Sequence, residues 1–261
     1  GSDSLIVTTS DSSFDLEVAR NVQNVENVVV KKVGDGDFTL DVDEIAFETV
    51  TVDGASGTET TTGTLLVQYV DTDTRVVLKD ADETDATVEF NASGPSDEAT
   101  IEVAGVADAF GGTANETTLT ADRIEDMNIV FTEEPAALGN MTFAAATTLD
   151  LTVNSGSDVT AAGITAGAAT DVQLTANDDF TVTSGTNPNF ASNATVTVDG
   201  SGDVDLATLE DSAAQTVNAT ALTGSLTVTV GSTTASIQGG SGNDAITGSA
   251  ATADIDGNGG N

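Results

Sequence analysis

The chain has 261 residues, with 43 acidic and only 6 basic side chains, and it carries a formal net charge of −37 at pH 7. Phosphate binding needs clustered Lys and Arg, so this balance excludes nucleic acid as a partner and disfavours anionic membrane surfaces. Cys and His are absent, which leaves only Asp and Glu chemistry of the glycosidase type, and we therefore expect that the protein is not an enzyme.

Positive charge is confined to the first half of the sequence. The basic residues are Arg20, Lys31, Lys32, Arg75, Lys79 and Arg123. Beyond Arg123 the carboxylates must be balanced by metal ions, by solvent cations or by spacing, because self-repulsion opposes compaction. No run approaches the roughly 18 apolar residues of a transmembrane helix, so we expect no membrane insertion.

Residues 1–135 form a β-rich region with a loose internal repeat. The repeat is an apolar residue, a glutamate and then alternating apolar positions, and it occurs at Val25–Val30, Phe47–Val52 and Ile124–Ile129. The first two glutamates are 22 residues apart, which is a plausible length for one coil of a solenoid. Asp35 and Asp37 alternate with glycines and are weak candidates for calcium ligands.

Residues 136–230 contain short Thr- and Val-rich strands bounded by Gly, Asn, Asp or Ser, and Glu133–Pro135 marks the candidate boundary before them. Apolar positions of these strands recur at intervals of 10, 11, 11 and 9 residues. These expected inward residues are Val196, Leu206, Val217, Val228 and Ile237. The regular recurrence predicts an all-β solenoid, although a β-sandwich also places turns every 8–12 residues and stays open as the alternative.

Two further patterns in this region concern ligands. Asp199, Ser201 and Asp203 alternate with glycines across a predicted turn and are a second, weaker calcium candidate. Three Thr-x-Thr steps have the composition of an ice-binding face, but their uneven spacing argues against one flat array. They are Thr181/Thr183, Thr195/Thr197 and Thr227/Thr229.

The strongest motif is the nonamer Gly239–Thr247, which fits G-G-x-G-x-D-x-U-x at every specified position. The glycines allow a turn whose backbone carbonyl oxygens point toward one position, and Asp244 adds a carboxylate. Oxygen ligands of these two kinds suit Ca²⁺. Ile237, Ile246 and Ile255 follow the same nine-residue period. Two nonamers make an 18-residue coil, so we expect the third unit to stack directly on the first.

The nonamer, the isoleucine register and the strand ladder before them together resemble RTX-type calcium-binding surface proteins, most closely Gram-negative bacterial S-layer proteins. The resemblance implies a right-handed parallel β-helix that runs into an RTX β-roll over residues 231–261, where the repeat breaks off and is expected to continue. It also implies that Ca²⁺ is bound by the turn residues Gly239, Ser241 and Asp244 together with Asn258 and Gly260. Ala253 stands where the second repeat should carry Asp, which leaves the opposite edge of the roll without an obvious site.

The same resemblance gives the expected function. It implies an extracellular, cell-surface protein exported by type I secretion, which assembles with copies of itself into a calcium-dependent S-layer lattice. A cell-surface polysaccharide is a further candidate partner. The alternative functions are an RTX adhesin stalk and a surface module that binds ice or carbohydrate.

Overall fold

The computed structural model describes twelve stretches of the chain, and all of them are β-strands and turns apart from single-residue irregularities. These stretches are residues 3–16, 25–33, 36–42, 47–54, 64–79, 85–104, 118–133, 137–183, 188–209, 215–230, 236–248 and 254–260. Every strand pair formed within them is parallel. The chain is therefore a parallel β-solenoid, and the sandwich alternative is wrong because sandwich sheets are antiparallel.

Within the described residues the solenoid consists of two sheets of twelve strands each, and each coil contributes to both sheets. Sheet one contains β1 (Ser4–Thr9), β3 (Asn27–Lys32), β5 (Thr49–Gly54), β7 (Arg75–Lys79), β9 (Glu98–Ala104), β11 (Asp126–Glu133), β13 (Thr148–Val153), β15 (Asp171–Ala176), β18 (Thr195–Gly200), β20 (Thr216–Leu222), β22 (Ser236–Gln238) and β24 (Asp254–Asp256). Sheet two contains β2 (Ser13–Asp15), β4 (Phe38–Asp41), β6 (Thr64–Val70), β8 (Asp85–Phe90), β10 (Thr118–Asp122), β12 (Ala137–Thr142), β14 (Val159–Ala166), β16 (Phe180–Val182), β17 (Asn189–Phe190), β19 (Val204–Leu209), β21 (Leu226–Val230) and β23 (Ala245–Thr247). The short β17 pairs with the end of β14, beside β16.

The coil length varies along the solenoid and shortens toward the C-terminal end. Partner residues on adjacent coils are 22 positions apart at Asn27 and Thr49. They are 28 apart at Glu98 and Asp126, and 18 apart at Ile237 and Ile255. The 22-residue spacing of the glutamate frame is therefore a coil length, as predicted from the sequence.

The core is a stack of aliphatic side chains between the two sheets, with several phenylalanines among them, of which Phe38, Phe131 and Phe180 are almost fully buried. The five residues predicted to point inward (Val196, Leu206, Val217, Val228 and Ile237) are all buried. They belong to one apolar cluster that extends from Leu16 to Ile237. Each coil buries its apolar residues against its neighbours, so stability depends on coil-to-coil interfaces.

Strand pairing continues across the predicted boundary between the first two regions. In sheet one β11 pairs with β13, and in sheet two β10 pairs with β12. Residues 134–136, including Glu134 and Pro135 of the boundary, lie outside the described residues. On either side of them the same two sheets continue.

The Thr-x-Thr steps are divided between the two sheets. Thr181 lies on β16 and Thr227 on β21, both in sheet two, whereas Thr195 lies on β18 in sheet one. The outer faces of the two sheets point in opposite directions, because the core lies between the sheets. These steps therefore form no single flat threonine array, in agreement with the expectation from their spacing.

Candidate calcium site

The nonamer occupies the predicted position in the solenoid. Ile246 on β23 pairs with Val228 on β21, and Ile255 on β24 pairs with Ile237 on β22. The third unit thus stacks directly on the first, as the 18-residue coil predicts. Burial decreases along this register: Ile237 is fully buried, whereas Ile255 is 42% exposed because β24 has a strand neighbour on one side only.

Asp244 connects two coils through its carboxylate. Oδ1 accepts a hydrogen bond from the Leu226 backbone N–H at 2.9 Å, and Oδ2 accepts one from the Gly240 N–H at 2.9 Å. A Cβ atom at Gly239 would lie 3.0 Å from the Asp244 carboxyl carbon. The first glycine of the nonamer therefore makes room for the carboxylate.

The turn one coil away closes over this carboxylate site. The Asn258 side-chain amide donates to the Gly239 carbonyl oxygen at 2.7 Å, and the Gly259 N–H donates to the Gly240 carbonyl at 3.0 Å. Ser241 lies beneath Gly259, where a Cβ would be 3.4 Å from the Ser241 Cα. The predicted ligands Gly239, Asp244 and Asn258 therefore lie together.

The oxygens of this candidate site accept hydrogen bonds from the protein itself. The Gly239 carbonyl and both Asp244 oxygens are hydrogen-bonded, so a bound Ca²⁺ would replace those bonds. Among the described residues, no group of three or more acidic side chains is close enough together to hold a metal ion. A calcium site here would therefore take most of its ligands from backbone carbonyls, with one carboxylate from Asp244.

A column of glycines runs along this edge of the solenoid, and the sequence analysis did not identify it. Gly202, Gly224, Gly242 and Gly260 occupy equivalent turns, and a Cβ on each would overlap a backbone carbonyl of the coil before it. Only glycine permits so close an approach between turns. The signal was present in the sequence, because the intervals of 22, 18 and 18 residues equal the local coil lengths. The predicted ligand Gly260 belongs to this column.

Carboxylates from neighbouring turns cap backbone N–H groups along the same edge. Asp178 Oδ2 accepts from Gly156 N–H at 2.8 Å, and Asp203 Oδ1 accepts from Ser225 N–H at 2.7 Å. The Ser225 backbone N–H, and then its hydroxyl, lower the pKa of Asp203 below its ordinary value. Each carboxylate thus forms a hydrogen bond between the turns of two adjacent coils, where the backbones are not paired as strands.

The three residues of the second calcium candidate, Asp199, Ser201 and Asp203, form hydrogen bonds with different residues. Asp199 Oδ2 accepts from the Gln173 side-chain amide at 2.7 Å, whereas Asp203 bonds to Ser225. Ser201 donates its hydroxyl to the Asn177 carbonyl at 3.1 Å. These three residues serve as inter-coil contacts on three separate partners.

The N-terminal calcium candidate is only partly described. Asp35 lies outside the described residues. Asp37 Oδ1 accepts from both the backbone N–H and the hydroxyl of Thr64, at 2.9 and 3.1 Å. Asp37 thus joins its own coil to the next one.

Charge is distributed unevenly on the outer face of sheet one. Ion pairs between coils occur only on its N-terminal part within the described residues: Lys31–Asp53 at 3.1 Å, Arg75–Glu102 at 2.6 Å and Lys79–Glu133 at 3.5 Å. Farther along, burial raises the pKa of Asp150, and the negative charges of Asp126, Asp171 and Glu98 raise it further. The middle of this face therefore contains carboxylates that repel one another.

These features define the class of protein: a parallel β-solenoid whose turns are held together by glycine stacking and by carboxylate caps. Comparison of the chain with family models, with curated proteins and with solved structures found no match. In the part of the chain that the structure describes, no helix is long and apolar enough to span a membrane.

Proposed function

We propose that this chain is an extracellular, non-enzymatic structural protein whose solenoid is stiffened by Ca²⁺ and which assembles with copies of itself at the cell surface. The observation that carries the proposal is the 18-residue register of the nonamer. It stacks the Asn258 turn on the turn that holds Asp244, with the Gly239 carbonyl between them. Stacked turns of this kind offer converging carbonyl oxygens and a carboxylate, which suit Ca²⁺.

The electrostatics of the C-terminal half support a role for a bound cation. No basic residue follows Arg123, and the net charge of the chain is −37. Burial raises the pKa of Asp150, and the negative charges of Asp126, Asp171 and Glu98 raise it further. A divalent ion bound to the folded form would offset the repulsion and contribute to the free energy of folding.

Calcium also provides a reason for assembly to occur outside the cell. Extracellular modules bind Ca²⁺ with dissociation constants of about 10⁻⁴–10⁻³ M, so their sites fill only where calcium is abundant. The chain would then be loose during export by type I secretion and rigid afterwards. Ions that bridge acidic faces would join neighbouring copies, which otherwise repel each other.

Calorimetric titration of Asp244→Asn with Ca²⁺ tests the site. The matched control is Asp97→Asn, because Asp97 also caps a turn, with Oδ2 accepting from the Ser93 and Gly94 N–H groups at 2.8 and 2.7 Å. Both substitutions remove one charge and keep an oxygen acceptor. We expect Asp244→Asn to weaken binding by about tenfold or more, while Asp97→Asn binds like the parent. Equal calcium uptake by all three proteins would contradict the site assignment.

A further inference from the structure

Tyr69 is an exposed aromatic residue in a fold that buries nearly all the others. It is the only tyrosine, and the chain has no tryptophan. Its side chain is 46% exposed, whereas the other described aromatic residues are buried, apart from the half-buried Phe14. An exposed ring of this kind is a candidate contact surface.

The backbone holds this ring outside against the regular alternation of β6. Leu65 and Val67 point inward, so position 69 would be the next inward position. Instead, the register against β8 shifts between Val67 and Val70, and Val70 takes the buried place. Tyr69 has a φ of 58°, in the left-handed region that bulky residues rarely adopt. The strand thus accepts backbone strain at this bulge, which buries Val70 and leaves the largest side chain of the strand in solvent.

The outer face around Tyr69 offers both acceptors and a donor. On one side, the Gln68 amide donates to Asp41 Oδ2 at 3.0 Å. On the other side, the exposed Glu89 lies opposite the bulge and pairs in register with Asp122 on β10, and the exposed Arg123 follows. Strands are about 4.8 Å apart, so this surface crosses four coils and is about 14 Å long.

We propose that this surface binds a neutral glycan. The Tyr69 ring provides an apolar face for the C–H groups of a sugar ring, the Glu89 and Asp122 carboxylates accept hydrogen bonds from its hydroxyl groups, and Arg123 donates to its oxygens. The carboxylates repel phosphate, sulfate and uronate groups, so the surface suits a neutral sugar better than an anionic one. The surface lies far along the solenoid from the calcium candidate and does not depend on it.

Tyrosine fluorescence tests the proposal directly, because emission from the chain reports on Tyr69 alone. The probes are neutral gluco-, manno- and galacto-oligosaccharides, with polygalacturonate and oligolysine as charged comparisons. We expect a saturable change of emission with at least one neutral oligosaccharide and none with polygalacturonate, which the carboxylates repel. The proposal is overturned if no neutral oligosaccharide gives a saturable change, or if oligolysine alone does.

Variants separate a binding role from a structural one, with affinity measured by calorimetry. Asn tolerates the left-handed region, so Tyr69→Asn should keep or raise the melting temperature and weaken glycan binding by about tenfold. Tyr69→Phe should bind within a few-fold of the parent. The matched control is Val33→Asn, which replaces an apolar side chain that is 45% exposed elsewhere and should leave affinity unchanged. Parent-like affinity of Tyr69→Asn would refute the assignment.

Discussion

The glycine column predicts a large difference between two Gly→Ala substitutions that look alike in the sequence. A Cβ at Gly224 would lie 2.5 Å from the Gly202 carbonyl carbon and 3.0 Å from the Asp203 nitrogen. Real Cβ atoms essentially never approach other atoms closer than 3.0 Å. Gly224 does not have a positive φ, so the alanine torsions are allowed and the cost is steric. Gly224→Ala must therefore push two hydrogen-bonded coils apart.

The expected magnitude follows from two opposing terms. Overpacking costs about 1–3 kcal/mol, and the loss of glycine freedom in the unfolded chain returns about 0.4–1 kcal/mol. With the middle of each range, the net loss is about 1.3 kcal/mol, which corresponds to a melting temperature lower by about 3–5 °C in a chain of this size. The control is Gly167→Ala, where a Cβ would meet nothing within 4 Å and φ is also not positive. That substitution should keep or raise the melting temperature.

Thermal unfolding followed by circular dichroism, with a chelator present, measures both variants without any contribution from bound metal. Gly224→Ala should unfold at a lower temperature than the parent, and Gly167→Ala should not. If the two variants unfold at the same temperature, coil-to-coil stacking at this edge does not require glycine. The account of the glycine column would then be wrong.

Three other predictions concern charge. Hydrogen bonds from Ser225 lower the pKa of Asp203 in the folded protein. The ionised Asp203 therefore stabilises the fold above the unfolded pKa of about 3.8, and this stabilisation is lost as pH falls through the folded pKa. Asp203→Asn should melt at a lower temperature than the parent at pH 7, and the difference should shrink in acid. The pKa of Asp150 is raised in the folded protein, so the folded form binds the proton more tightly than the unfolded chain does, and this group makes the parent more stable as pH falls. Asp150→Asn should therefore melt at a higher temperature than the parent at pH 7. A lower melting temperature would count against the repulsion described above. Millimolar Ca²⁺ should increase amide-exchange protection in residues 136–260 far more than NaCl of equal ionic strength, whereas equal protection would reduce the effect to charge screening.

The sequence predicted the structure correctly where residues of one type recur at the period of a strand or of a coil. Strict alternation identified inward residues such as Val196 and Val228, because a strand side chain has only two directions to choose from. The nine-residue isoleucine period located the stacking of Ile237 on Ile255. These predictions needed only the periods of strand and coil.

Other features depend on partners that are one coil away and could not be identified by period alone. Tyr69 would be assigned inward by alternation, and only the register against β8 places it outside. Asp244 was predicted as a calcium ligand and Asp203 as a weaker one, and their carboxylates bond to different backbone groups of adjacent coils. The glycine column is visible as an interval, but its steric necessity requires the distance between turns.

Calcium-dependent self-assembly is the central claim, and electron microscopy of the full-length protein with millimolar Ca²⁺ or with a chelator tests it most directly. The account predicts ordered sheets of stacked solenoids in calcium, which disperse to single rods or loose chains when the ion is removed. Asp244→Asn should need more calcium than the parent to form the same sheets. Monomers that persist at high protein and calcium concentrations would contradict the claim.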